Sequence, residues 1–171
     1  HYSAQQMALI ANGQRGGMAL AMQPFVVDLS AQDMRDIGAW YASQKATAGL
    51  ADDTAIADGE HAGKAFYAIG EQLYRGGDSE RQIPACQACH GPTGGGNPGP
   101  GWPHLGGQHA AYLVQRLEQY RSGEHTLNDP AQFQVMAHIA AELTDQEIQS
   151  LASYLQGLHP RSDDLAAAAM P

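Results

Sequence analysis

Residues 91–107 read GPTGGGNPGPGWPHLGG, and 12 of these 17 positions are Gly or Pro. Proline lacks a backbone donor and glycine makes any regular element entropically costly, so neither helix nor strand can run through this segment. A long loop is therefore forced into the middle of the chain, and its order must come from the elements on either side. Gly94, Gly96 and Gly99 match the spacing of a dinucleotide-binding fingerprint. That fingerprint needs a strand before it and a helix after it, and here Pro98 and Pro100 intrude, so nucleotide binding is set aside.

The flanking sequence reads as helices. Thr144-Asp145-Gln146-Glu147 is a capping box, in which hydroxyl and carboxylate each satisfy an orphan backbone amide. Ile148, Leu151, Ala152 and Leu155 follow at i, i+3, i+4 and i+7, and Gly157 and Pro160 supply stop signals. A second helix is predicted over 109–121, with Leu113, Leu117 and Tyr120 on one face and Gly123 as its C-cap. A third spans roughly 59–75 on the spacing of Phe66, Ile69, Leu73 and Tyr74, although Gly63 and Gly70 weaken its propensity. Strand alternation is scarce throughout, and the expected fold class is all-α.

The chain also repeats itself. Tyr2, Gln5 and Gly13 match Tyr112, Gln115 and Gly123 at an offset of 110, and Met22, Leu29, Ser30 and Gln32 match Met136, Leu143, Thr144 and Gln146 at an offset of 114. The capping box recurs as Ser30 and Asp33, and Met34, Ile37 and Tyr41 give the first copy an apolar face. The predicted organisation is a first copy over 1–43, a linker over 44–58 rich in Ala, Asp, Thr and Gly, a second copy over 59–160, and a tail over 161–171.

Charge narrows the partners. Eighteen acidic residues face nine basic ones, a net charge of −9, and no Lys/Arg run exists to track a phosphate backbone, so nucleic acid is excluded. An acidic surface serves solubility and steering toward a basic patch on another protein. No stretch approaches the roughly 18 uninterrupted apolar residues of a membrane helix. Residues 1–20 lack a basic region followed by an apolar run and a cleavage site.

The chemistry is concentrated in Cys86-Gln87-Ala88-Cys89-His90, which holds both cysteines of the chain. Two thiols separated by two residues can each add to a vinyl group of one porphyrin, while the adjacent imidazole is carried over the iron. The same spacing serves dithiol redox pairs and half of a zinc site. A dithiol motif belongs beside a βαβ pattern, which this sequence lacks, and zinc needs a further convincing ligand, although histidines are available. Covalent haem, held by Cys86 and Cys89 and ligated by His90, fits best. For the second axial position Met136 is the candidate, because its repeat partner Met22 occupies the same place before Ser30. His138 is the rival, and Pro24 replaces it in the first copy. Met7, Met18 and Met34 read as core filler, and His104, His109, His125 and His159 as loop or surface residues.

Several runs carry a family resemblance: Gly70-Glu71-Gln72-Leu73-Tyr74-Arg75-Gly76-Gly77, Pro84-Ala85-Cys86, Trp102-Pro103-His104-Leu105-Gly106-Gly107-Gln108-His109, and Ser153-Tyr154-Leu155-Gln156-Gly157-Leu158-His159. In this order they resemble the C-terminal domain of the dihaem cytochrome c4 family of class I cytochromes c. The resemblance implies two haem domains related by pseudo-twofold symmetry, a periplasmic location and electron delivery toward a terminal oxidase, with membrane respiratory complexes such as a quinol-cytochrome c reductase as partners. It implies His/Met ligation, with the Pro103 carbonyl accepting from the imidazole N–H of His90. It also implies that the first helix of the domain crosses the last near Gly70, Tyr74 and Tyr154.

The first copy departs from the pattern, since residues 1–43 contain no Cys-x-x-Cys-His. Cys86 precedes Tyr112 by 26 residues, and the same separation applied to Tyr2 places a corresponding cysteine about 25 residues before His1. The expectation is an incomplete first copy of a dihaem protein, with Met22 as ligand to the second haem and an apolar face that must borrow a surface. With His and Met both on the iron no position is open, and no acid/base constellation stands beside it, so the expected role is electron carrier and not enzyme. Burial by Trp102 and Leu105 and the thioether ligand both raise the potential. A catalytic or ligand-sensing haem protein is the alternative, and it requires Met136 to be off the iron. A structural haem domain inside a larger enzyme is a third reading.

Overall fold

The computed structural model describes residues 2–44, 47–123, 130–160 and 162–163. His125 and most of the 161–171 tail lie outside them. In chain order the helices are α1 (Tyr2–Ala11), α2 (Gln23–Val26), α3 (Ala31–Ser43), α4 (Phe66–Gly76), α5 (Gln87–His90), α6 (Ala110–Ser122), α7 (Pro130–Ala141) and α8 (Asp145–Gly157), with a 3₁₀ turn at Gly17–Met22. Among the described residues β structure is limited to isolated bridges such as Asn97 with Trp102. Residues 91–107 form no helix, as their composition requires.

The core lies where α4 crosses α8. Ile69, Leu73 and Tyr74 from α4 meet Ile148, Leu151, Ala152 and Leu155 from α8, all buried, and each fully buried aliphatic side chain contributes about 1.5–3 kcal/mol. The axes approach this closely because position 70 has no side chain. A Cβ on Gly70 would lie 2.0 Å from the Ser150 carbonyl oxygen. The Tyr74 and Tyr154 rings pack beside this crossing with centroids 5.5 Å apart. On the other side α6 and α7 close the core through Leu113, Ala140 and the Tyr120–Phe133 ring pair at 5.1 Å. The α8 capping box is complete: Thr144 Oγ1 accepts from the Glu147 amide at 3.2 Å and the Glu147 carboxylate accepts from the Thr144 amide at 2.9 Å.

Two boundaries differ from the sequence pattern. The helix expected over 59–75 begins at Phe66, because Gly59 and Gly63 adopt φ of +84° and +80° and the chain turns back on itself, with the Ile56 amide donating to the Lys64 carbonyl at 2.9 Å. Residues 47–58, marked by composition as a connection, are strapped along α8. The Gly49 amide donates to the Gln156 carbonyl at 2.9 Å, the Asp52 amide donates to Ser153 Oγ at 2.7 Å, and Ile56 enters the core at 3 % exposure.

In the first copy α1 packs on α3 at Gly38, where a Cβ would meet the Ala4 amide at 3.5 Å. Ile10, Val26 and Met34 are buried, whereas Phe25 is 72 % and Met22 50 % exposed. Met18 corrects its reading as core filler: it is 77 % exposed, and its Sδ accepts from Gln115 Nε2 at 3.2 Å, one of the contacts that join the two copies.

Tyr74 also reaches beyond the core. Its hydroxyl, on a fully buried residue, donates to the Gly91 carbonyl at 2.5 Å and so ties α4 to the start of the 91–107 loop. Tyr74→Phe removes this donor and leaves the carbonyl only the Gly94 amide at 3.2 Å, so it should lower unfolding free energy by about 1 kcal/mol, measured by denaturant melts. An unchanged midpoint would show that the bond carries no net stability.

Candidate functional site

The site begins at the single turn α5. Cys86 is its N-cap and His90 closes it, with the His90 amide donating to the Cys86 carbonyl at 2.9 Å. Gly91 at φ +79° then ends the helix, a conformation that L side chains rarely adopt. One turn thus carries both thiols and the imidazole. Both cysteines are free and partly buried, and burial pushes the Cys86 thiol up to about 11.

His90 is 7 % exposed, and its Nδ1 lies 3.0 Å from the Pro103 carbonyl oxygen. A carbonyl can only accept, so Nδ1 carries the hydrogen and the lone pair sits on Nε2. Burial holds the imidazole below the usual histidine range, more than the bond to Pro103 offsets, which favours the neutral, metal-binding form. The partner carbonyl is itself fixed by the glycine-rich loop. Asn97 and Trp102 exchange amide–carbonyl bonds of 3.0 and 2.9 Å, and the Leu105 amide donates to the Gly94 carbonyl at 2.7 Å. A Cβ on Gly96 would stand 2.6 Å from the Trp102 carbonyl oxygen and 2.7 Å from that of Pro103, so this approach needs glycine. Leu105 packs against the core and Trp102 is half-buried.

Of the two candidates for the second axial position, Met136 is half-buried and His138 exposed, both on α7. An exposed imidazole is the poorer candidate for a site that must bury a porphyrin. Met22 stands at the end of the 3₁₀ turn in the first copy.

Two free thiols and a neutral, oriented imidazole on one turn fit covalent haem. They fit the other readings poorly. Among the described residues no group of three or more His, Cys, Asp or Glu side chains is placed to hold a metal ion, and no sheet stands beside the cysteines as in a thioredoxin-like dithiol.

Comparison with known proteins agrees. Residues 62–159 match the cytochrome c family. Cytochrome c4 of Pseudomonas aeruginosa is 41% identical over 158 residues, which cover 92% of this chain and 71% of that protein. This chain belongs to the cytochrome c4 family. The crystal structure of reduced recombinant cytochrome c4 from Pseudomonas stutzeri superposes with a TM-score of 0.77 at 38% identity, covering 92% of this chain and 80% of that one. A thiosulfate dehydrogenase electron acceptor of Stutzerimonas stutzeri is 37% identical over 153 residues, 90% of this chain and 64% of that protein. The chain is thus a c-type cytochrome of a dihaem family, with haem c covalently attached and a role in electron transfer.

A second group, in which the capping-box residue Glu147 pairs with Arg81 and His61, escaped the sequence reading. Glu147 is 1 % exposed, and its carboxylate accepts from Arg81 Nη1 at 3.0 Å and from Arg81 Nη2, with His61 Nε2 at 3.6 Å. Burial pushes its carboxyl up, but the Arg81 bonds and the Thr144 amide outweigh this and hold it below the usual glutamate range. A depressed native value means stability that is present above the ordinary glutamate pKa and lost as pH falls through the native one. The thermal midpoint should therefore drop as pH is lowered below about 4.3. Glu147→Gln should flatten that acid limb and lower neutral-pH stability by about 2 kcal/mol, allowing for the partial solvent exposure of Arg81. An acid limb as steep as that of the unaltered protein would assign the loss to other carboxylates.

Proposed function

We propose that this cytochrome carries its C-terminal haem between His90 and Met136 and shuttles electrons in the periplasm toward a terminal oxidase, drawing them from a membrane complex such as a quinol-cytochrome c reductase. The observation that carries the reading is the buried, neutral His90 held by Pro103 beside two free thiols, with a half-buried Met136 as the repeat-matched thioether. Haem supplies a one-electron couple, and the thioether favours its reduced iron over its oxidised iron. The chain does the rest. Cys86 and Cys89 fix the porphyrin to α5, Pro103 orients the imidazole and makes it a stronger donor, and Leu105 and Trp102 lower the local dielectric. With His90 and Met136 both holding the iron, no position would be left for a small molecule, which fits a carrier better than a catalytic or sensing haem.

By the repeat, Met22 is proposed as the matching ligand of a second haem, tested by the haem-to-protein ratio of the complete gene product. Two haems per chain are expected, and one would overturn the assignment. The partner is tested by stopped-flow mixing of the reduced holoprotein with membranes containing a terminal oxidase. Rapid, cyanide-sensitive oxidation supports the reading. The likeness to a thiosulfate dehydrogenase electron acceptor favours a second source of electrons. Fast reduction by a thiosulfate dehydrogenase, with slow turnover by oxidase membranes, would move the chain to that role.

A further inference from the structure

Two arginines converge on the turn that joins α7 to α8. Arg81 donates from Nη1 to the Glu142 carbonyl at 3.2 Å as well as to Glu147, and its Nε donates to Asp78 at 2.7 Å. Arg121, in the last turn of α6, donates from Nη1 to the Leu143 carbonyl at 3.0 Å and from Nη2 to Asp145 at 2.5 Å. Helix α7 ends at Ala141, so both cations sit at its C-terminal end, where carbonyls lack helical partners and the helix dipole is negative. The buried Glu147 carboxylate in turn anchors Arg81 to the first turn of α8. Helices α6 and α8 and the loop at residue 81 therefore grip one short turn, six residues beyond Met136.

The Arg121 half of this grip has no counterpart in the first copy. At the repeat offsets Arg121 corresponds to Ala11, Asp145 to Ala31 and Glu147 to Asp33. Asp33 is exposed, and among the described residues it only closes the capping box with Ser30. The capping box is common to both copies, whereas the Arg121–Asp145 contact belongs to the second alone, so helix termination does not require it.

We propose that Arg81 and Arg121 are positioning residues for the axial ligand: by pinning the C-terminal end of α7 they keep Met136 on the iron. This rests on the reading of Met136 as ligand. For the thioether to leave, the segment that carries it must move, and movement of α7 strains charge-assisted bonds to two fixed elements. The clamp thus sets how often the sixth position opens, without touching haem or iron.

The test uses the oxidised holoprotein and imidazole as competitor, following loss of the near-infrared sulfur-to-iron band after mixing. Imidazole binds only after the thioether leaves, so its displacement rate at saturating imidazole reports the opening step. Arg121→Ala and Arg81→Met should each raise that rate about tenfold, and Arg121→Lys, which keeps the charge and one bond, should fall between. Ile69→Val serves as control, since it lowers stability in the α4–α8 crossing and leaves the clamp intact. If the arginine variants lose the band no faster than Ile69→Val, the arginines stabilise the fold without positioning the ligand and the proposal is overturned. Absence of the band from the unaltered holoprotein would instead overturn the ligation itself, and the clamp's role with it. Where Arg121→Ala fails to accumulate, the Arg121→Lys rate decides.

Discussion

Met136→Ala is expected to turn a closed haem into an open one. The reduced variant should bind carbon monoxide stoichiometrically, where the unaltered protein binds none, and the oxidised variant should lose its near-infrared sulfur-to-iron band. Its reduction potential should fall by about 0.1–0.2 V, a fraction of the roughly 0.8 V range that axial ligands span. The direction follows from the ligand. A thioether stabilises reduced iron, while the water or hydroxide that replaces it favours oxidised iron. His138→Ala provides the contrast, because that side chain is exposed and should leave spectrum and potential unchanged. Should the unaltered protein lack the band, with Met136→Ala keeping its spectrum and potential and His138→Ala changing both, the two residues exchange roles and the ligation becomes bis-histidine.

The haem turn, the loop and the α8 capping box were legible in the sequence because each is written in adjacent residues. Cys86, Cys89 and His90 need only one helical turn to act together, and glycine and proline mark a loop wherever they cluster. Helix α7 was not legible. Phe133, Met136, Ala137 and Ala140 fall at i, i+3, i+4 and i+7, but Val135, Ile139 and Ala141 spread apolar residues round the rest of the helix and blur the stripe, although Pro130 marks a start. The arginine clamp was hidden for a different reason. Arg81 and Glu147 stand 66 residues apart and Arg121 and Asp145 24 apart, and no local rule pairs charges across such distances. The near-complete burial of Glu147 is likewise tertiary, since as the last member of a capping box it reads as a solvated first-turn acid. The bond from His90 to Pro103 came from family resemblance, and the structure supplies its local cause in the close approach of Gly96 to the Trp102 and Pro103 carbonyls.

That close approach yields the last expected result. Gly96→Ala should severely reduce accumulation of holoprotein, whereas Gly95→Ala should be tolerated. Gly96 has φ +74°, which costs an alanine roughly 1–2 kcal/mol. The new Cβ would also stand 2.6–2.7 Å from the Trp102 and Pro103 carbonyl groups, an overpacking that adds about 1–3 kcal/mol. Neither group can retreat cheaply, because the Asn97–Trp102 bridge holds the backbone on both sides. Displacing the Pro103 carbonyl removes the acceptor that keeps the hydrogen on His90 Nδ1, so the imidazole loses both orientation and donor strength. Gly95 differs in all these respects: its φ is not positive, and a Cβ there would meet nothing closer than Thr93 Oγ1 at 3.8 Å. Thermal melts of purified holoprotein should show a midpoint lower by about 4–20 °C for Gly96→Ala and by less than about 4 °C for Gly95→Ala. The reduction potential of the surviving Gly96→Ala holoprotein should shift as well, which a purely structural loop would not produce. Equal midpoints for the two variants would show that the loop yields freely at position 96, and a lowered midpoint with an unchanged potential would separate the loop's packing from its hold on His90.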